Sequence, residues 1–194
     1  MGIGKQAKVL NQKQVDAVLH HIGRQRNGLR NQVIFLLSVR AGLRAKEIAA
    51  LCWPMVLDAS GSVGDAIHLT NEASKGNSGR VIPLNRQLRA VLASLQQLQP
   101  GSSLAHVITT ERADRASAQA IVNLFAGWYR ELGLVGCSSH SGRRTFITNA
   151  ARKISTVGGS LRDVQSLAGH SSLQTTQRYI DGDAEAMRLV VDLC

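Results

Sequence analysis

Leu167-Ala-Gly-His170-Ser-Ser-Leu-Gln-Thr-Thr-Gln-Arg-Tyr179-Ile180 places a histidine and a tyrosine nine positions apart, with a helix start between them. Gly169 is positioned to close a helix over Leu161–Ala168 in the left-handed conformation. Ser171 and Gln174 form an S-x-x-Q capping box that opens the next helix, Ser172–Ile180. His170 then falls on a tight corner between helices. Tyr179 lies off the apolar positions Leu173 and Ile180, at a helix end where its phenol can face a ligand. Each residue alone also has a plain structural reading, as a turn histidine with its hydrogen bonds satisfied and as a half-buried packing tyrosine.

Moving back along the chain, Ser138-Ser-His140-Ser-Gly-Arg143-Arg144-Thr opens a helix, His140–Lys153, behind serine caps, with His140 and Arg143 on one face of its first turn. Cations there oppose the helix dipole, a cost that a bound anion would reverse because free N–H groups and guanidinium would then point at it together. A solvated basic face explains the pair equally simply. Farther back, Arg40-Ala-Gly-Leu-Arg44-Ala-Lys-Glu47 sets Arg44 between a helix stop and a helix start. Glu47, three residues on, is placed to pair with Arg44 or to cap that helix.

The remaining pattern is mostly helical. Apolar periodicity predicts helices over Asn11–Ile22, with Asn11 as cap, over Asn31–Val39, ending at Ala41-Gly42, and over Ala45–Cys52. Met55–Asp58, Ala66–Thr70 and Arg80–Leu84 read as a three-stranded antiparallel meander, with Lys75 in the turn before the last strand. Leu88, Val91, Leu92, Leu95 and Leu98 form the next helical stripe, closed by Pro100-Gly101. Ile121, Leu124, Phe125, Trp128 and Leu132 form another, closed by Gly133, and Tyr129 beside it reads as packing or surface. Ala184–Leu193 is a short amphipathic helix. The expectation is a single α+β domain over residues 1–194, mostly helical with a small sheet.

Composition narrows the function. The 194 residues carry 23 Lys+Arg against 13 Asp+Glu, a formal charge of +10 spread along the chain, which suits a folded face that binds a phosphate backbone. Two Trp, two Tyr and three Phe are too few for a base-stacking platform, so duplex rather than single-stranded nucleic acid is favoured. Cys52, Cys137 and Cys194 are odd in number and widely spaced, against both a disulfide framework and a zinc site. The longest apolar run, Val33–Leu37, is far too short to cross a bilayer, so no membrane role is indicated. P-loop and EF-hand patterns are missing, and neither metal nor cofactor is expected.

R-x-x-E at Arg44 and Glu47, a β-turn lysine at Lys75, H-x-x-R at His140 and Arg143, then Gly169-His170 and Tyr179 resemble, in order and local context, the catalytic domain of the tyrosine recombinases, the phage-integrase family. The resemblance spans nearly the whole chain, from Val9 to the last helix. It implies that Tyr179 attacks a scissile DNA phosphate, forming a 3′-phosphotyrosyl bond and releasing a 5′-hydroxyl. Arg44 and Arg143 would hold the non-bridging oxygens, His170 would donate to one of them, and His140 would accept a proton or bind the phosphate. Lys75 would protonate the departing oxygen, and Glu47 would orient Arg44. Elementary chemistry agrees, because an ordinary phenol, with a pKa of about 10, needs a cationic pocket to act as a nucleophile near neutrality.

The helical core-binding domain that usually precedes this catalytic domain in the family is expected to be absent. The interval from Arg143 to His170 is also a few residues long for the family, with Lys153–Ser160 as the extra loop. These features suggest an excised catalytic domain or a short stand-alone recombinase resembling the fimbrial-type invertases. The resemblance further implies a homotetramer on paired DNA sites, linked through the 184–193 helix, and action in the cytoplasm at the nucleoid; the free protein is compatible with a monomer. A type IB topoisomerase-like nicking-closing enzyme, a non-catalytic DNA-binding regulator and a basic structural protein are the competing readings.

Overall fold

The computed structural model describes residues 7–74, 78–99, 105–179 and 191–192. Its first helix, α1 (Gln12–Gly23), opens on Asn11, whose side chain accepts from the Gln14 amide while the Gln14 side chain accepts from the Asn11 amide. Val15, Val18, Leu19 and Ile22 turn inward from it. The second, α2 (Gly28–Ala41), is buried along most of its length and forms the central rod. Gly42, at φ +68°, ends α2 in the left-handed conformation, and Phe146 packs where a side chain would otherwise lie. That stop turns the chain through Leu43 into α3 (Ala45–Ala50).

Among the described residues the sheet has two strands rather than three: β1 (Ala66–Leu69) pairs antiparallel with β2 (Arg80–Pro83), Leu69 opposite Arg80 and Ile67 opposite Ile82. The expected first strand, Met55–Asp58, is taken up by a 3₁₀ turn over Trp53–Met55 and by a loop. Pro54 lacks a ladder donor, and the Asp58 carboxylate accepts from the amides of Ser60 and Ser62, bending the chain where a strand would run on. Only Leu57 opposite Val63 remains as an isolated bridge.

Helices α4 (Arg86–Gln97) and α5 (Ala118–Glu131) cover the other side of the core, through Leu88, Leu92 and Leu95 and through Ile121, Phe125, Trp128 and Tyr129. The chain then forms α6 (Ser141–Lys153), a 3₁₀ turn (Ile154–Val157), α7 (Leu161–Ala168) and α8 (Leu173–Gln177). Gly169 closes α7 at φ +62°, as its position predicts. The cap of α8, however, is Ser172, whose hydroxyl accepts from the Thr175 amide, one residue later than the S-x-x-Q pattern suggests. The loop over Lys153–Ser160 is a 3₁₀ turn closed by Gly158 at φ +77°, so it extends α6 without disturbing the core. The 184–193 helix lies outside the described residues except for Val191 and Asp192.

Packing of α6 against α2 fixes where the second half sits. Gly142 faces Ser38 so closely that an added Cβ would lie 2.5 Å from the Ser38 Oγ and 2.9 Å from its Cβ. Both partners are buried in helices and have little room to yield. Gly142→Val is expected to lower unfolding free energy by about 1–3 kcal/mol through overpacking, with partial recovery when Ser38→Gly is added. Urea denaturation of the two variants checks this.

Candidate active site

Glu47 lies at the centre of the site. It is fully buried, and its carboxylate receives Arg44 Nη1 at 2.8 Å and the Arg44 amide at 2.9 Å, so it both pairs with Arg44 and caps α3. A second guanidinium, Arg80, reaches it from the start of β2, with Nη1 3.2 Å from Oε1 and Nη2 3.1 Å from Oε2. Burial alone would raise the Glu47 carboxyl. The hydrogen bond and charge of Arg80, with the amide and charge of Arg44, outweigh that and hold its pKa below the usual carboxylate range.

Arg143 is 3% exposed and donates through Nη1 to the Gly42 carbonyl and through Nη2 to the Ala168 carbonyl, at 2.7 Å for the latter. Both acceptors lie at helix C-termini, where the dipole favours a cation. Burial, then the charge of Arg44, lowers its pKa to about 10, which leaves it protonated near neutrality.

His170 is held through Nδ1, 2.9 Å from the Thr176 hydroxyl, leaving Nε2 as the ring nitrogen for a ligand. Burial, followed by the charges of Arg143, Arg44 and Arg80, pushes it down to about 4, so the imidazole is neutral at physiological pH. The Tyr179 ring stacks on it with centroids 5.3 Å apart and planes at 25°. Thr148 in α6 donates to the Tyr179 carbonyl at 3.1 Å, fixing the chain beyond α8.

Two clefts open on these groups. The larger, about 760 Å³, is bounded by Arg44, Arg80, Arg162 and His170, and the smaller, about 360 Å³, by His140, Arg143, Arg178 and Tyr179. Thr175 borders both, and among the described residues neither is lined by a carboxylate. The described linings thus offer cations and hydroxyls, and no carboxylate, to an anion of phosphate size. His140 is the exposed residue preceding α6, at the mouth of the smaller cleft.

Of the residues picked out in sequence, Arg44, Glu47, Arg143, His170 and Tyr179 are brought together, with His140 beside them. Lys75 lies outside the described residues. The chain on either side of it is pinned, however, because the Asn71 side chain accepts from the Gly79 amide at 2.9 Å and Ser78 borders the larger cleft. Tyr129 is confirmed as packing: it is 2% exposed, with its hydroxyl sealed in the core and its pKa raised by burial, and no polymeric substrate can reach it. Arg80 escapes the sequence reading. The signal for it is period-two alternation, which puts Arg80 on the same inward face as buried Ile82 and so demands a buried carboxylate partner.

The chain matches the phage integrase family over residues 8–186 and belongs to that family. It is similar to the tyrosine recombinase XerC of Shewanella sp. strain ANA-3, 32% identical over 195 residues that cover 97% of this chain and 62% of that protein. XerC of Pelobacter propionicus is 28% identical over 167 residues, covering 85% and 52%. The chain thus spans little more than half the length of these curated relatives. Among solved structures, the XerA recombinase superposes with a TM-score of 0.75 at 18% identity, covering 100% of this chain and 65% of that one. The XerH recombinase in its post-cleavage complex with a palindromic difH substrate gives 0.72 at 20%, covering 94% and 51%. These likenesses establish the fold as that of tyrosine recombinase catalytic domains.

The depressed pKa of His170 has a consequence for stability. Between the ordinary histidine value of 6.5 and about 4, the unfolded chain binds a proton at this position that the folded chain refuses. Folding free energy is therefore lost as pH falls through 6.5 and levels off near 4. Glu47, with its lowered pKa, adds a further loss as pH falls below the ordinary glutamate value of 4.5. Urea midpoints measured across this range should show a shallower decline in His170→Asn than in the unsubstituted protein.

Proposed function

We propose that this chain cuts and rejoins duplex DNA as the catalytic part of a site-specific recombinase, through a 3′-phosphotyrosyl intermediate. The observation that supports the reading is the stack of Tyr179 on a neutral His170, in clefts bounded by Arg44, Arg143 and His140 and, among the described residues, free of lining carboxylates. A phosphodiester seated there would receive its non-bridging oxygens on Arg44 and Arg143. Rigid forked donors suit that task because they stay charged and match phosphate geometry.

In the reaction the Tyr179 oxygen bonds to phosphorus as the bond from phosphorus to the 5′-oxygen breaks. The phenolic proton passes to His140, or to solvent if His140 serves as a phosphate ligand, and Lys75 supplies a proton to the departing 5′-oxygen. His170 donates from Nε2 to a non-bridging oxygen. Being neutral, it can do so while Nδ1 stays tied to Thr176. Glu47 holds Arg44 in place and does not touch the phosphate. Rejoining reverses these steps with a 5′-hydroxyl as nucleophile, so the phosphodiester energy is retained and no external energy source is needed.

The whole protein would act on paired DNA sites as a homotetramer in the cytoplasm, at the nucleoid, with the 184–193 segment reaching a neighbouring protomer. A nicking-closing enzyme would make the same adduct but no exchanged products. A two-site plasmid distinguishes them, since recombinant circles support the first reading and relaxed parental circles alone the second.

The test is an adduct assay on a nicked suicide duplex, with the DNA flanking the gene as candidate substrate. A covalent protein–DNA species should form with the unsubstituted chain and vanish in Tyr179→Phe. Arg44→Ala and Arg143→Ala should slow its formation by about 10²–10³. An adduct that persists in Tyr179→Phe rules out this assignment of the nucleophile.

A further inference from the structure

We infer that Arg80 is a positioning residue that couples the Arg44 phosphate clamp to the His170 corner. The inference rests on the proposed strand-cleavage reaction. Arg80 sits in β2 with its side chain only 6% exposed, and it is shared between two distant partners. Its terminal nitrogens grip both oxygens of Glu47, which in turn holds Arg44, while its Nε donates to the Leu167 carbonyl at 2.9 Å. One rigid guanidinium thus spans from α3 to the end of α7.

The Leu167 carbonyl is one of the groups left without an intrahelical partner when α7 stops. Arg143 takes the next one, Ala168, so the two arginines together close the helix end from which His170 emerges. Gly169 makes the close approach possible, for a Cβ there would lie 2.9 Å from Arg80 Nη1. A lysine cannot replace this geometry. Its single ammonium lacks the fork that meets a carboxylate on one side and a carbonyl on the other.

Among the described residues, the charged and titratable groups facing His170 are Arg143 of α6, Arg44 ahead of α3 and Arg80 of β2, with the Tyr179 ring stacked on it. Glu47 is faced by Arg44, Arg80 and Arg143.

The experiment compares Arg80→Lys and Arg80→Gln with the unsubstituted full chain by two readouts. In the first, single-turnover adduct formation on the suicide duplex should slow by about 10- to 100-fold in both variants, reflecting a displaced clamp. DNA affinity should change much less than the rate. Adding Glu47→Gln to Arg80→Gln should cost little beyond the slower single variant, because both break one tie. In the second readout, which needs no DNA, the His170 imidazole resonances should shift in both variants, with the titration midpoint moving upward in Arg80→Gln.

Rates within about twofold of the unsubstituted chain, or additive losses with Glu47→Gln, would overturn the coupling. So would unmoved His170 resonances. Failure of the unsubstituted chain to form any adduct counts against the cleavage reaction instead, and the imidazole readout then decides the structural tie by itself. If Arg80→Gln does not fold, Arg80→Lys carries both readouts.

Discussion

One buried carboxylate organises the site. Glu47 has no solvent contact, and placing an ion there is costly unless its oxygens are fully engaged. Arg44 and Arg80 engage both of them. Replacing such a cluster with apolar side chains commonly leaves stability unchanged or improved, so its presence is better explained by geometry than by stability. The neighbourhood carries more positive than negative charge: Arg44, Arg80 and Arg143 surround one carboxylate, and His170 responds by staying neutral. An arrangement left with surplus cations in a partly buried hollow is incomplete until an anion arrives. The pKa of Arg143 is lowered first by its burial and then by the charge of Arg44.

The positions of the cations follow from where helices end. Arg143 stands in the first turn of α6, a place unfavourable to positive charge, yet its guanidinium reaches the C-terminal ends of α2 and α7, where carbonyls lack partners. Gly42 and Gly169 create both ends by taking left-handed conformations. Two glycines far apart in the chain therefore fix where one arginine can be held. Arg44 follows the first of these stops by two residues, and His170 follows the second by one. The motif spacing visible in sequence is the imprint of this geometry.

Much of that was legible beforehand, for identifiable reasons. Amphipathic periodicity located α1, α4 and α5, and Leu161–Ala168 is recovered residue for residue, with Gly169 closing it as its position predicts. Glu47 three residues after Arg44 announced its own pairing. The expected first strand, Met55–Asp58, was not legible as a loop, since its composition is β-like and the Asp58 side-chain hydrogen bonds that bend the chain show only in the structure. The S-x-x-Q pattern singles out Ser171, because Thr175 rather than Gln or Glu stands three residues after Ser172, yet Ser172 is the serine whose hydroxyl accepts from the Thr175 amide. Arg80 was missed because its partners are remote: nothing local to Arg80 reveals a carboxylate 33 positions earlier or a carbonyl 87 positions later.

Tyr179 packs against a small apolar cluster separate from the main core. Ile147, Val164 and Ala168 form a small apolar cluster of their own, with Phe146, Ile154 and Tyr179 packed against it, apart from the main core around α2. The helix before Tyr179, α8, has five residues, too few to be stable by itself. Its register is set by polar ties: Thr176 to His170, Thr148 to the Tyr179 carbonyl, and the two stacked rings. Directional ties of this kind fix geometry while contributing little burial, so a segment held by them can shift at lower cost than one built into the core. In the proposed reaction Tyr179 would have to reach a phosphate, stay bonded to it and later release it, and such a mounting suits that task.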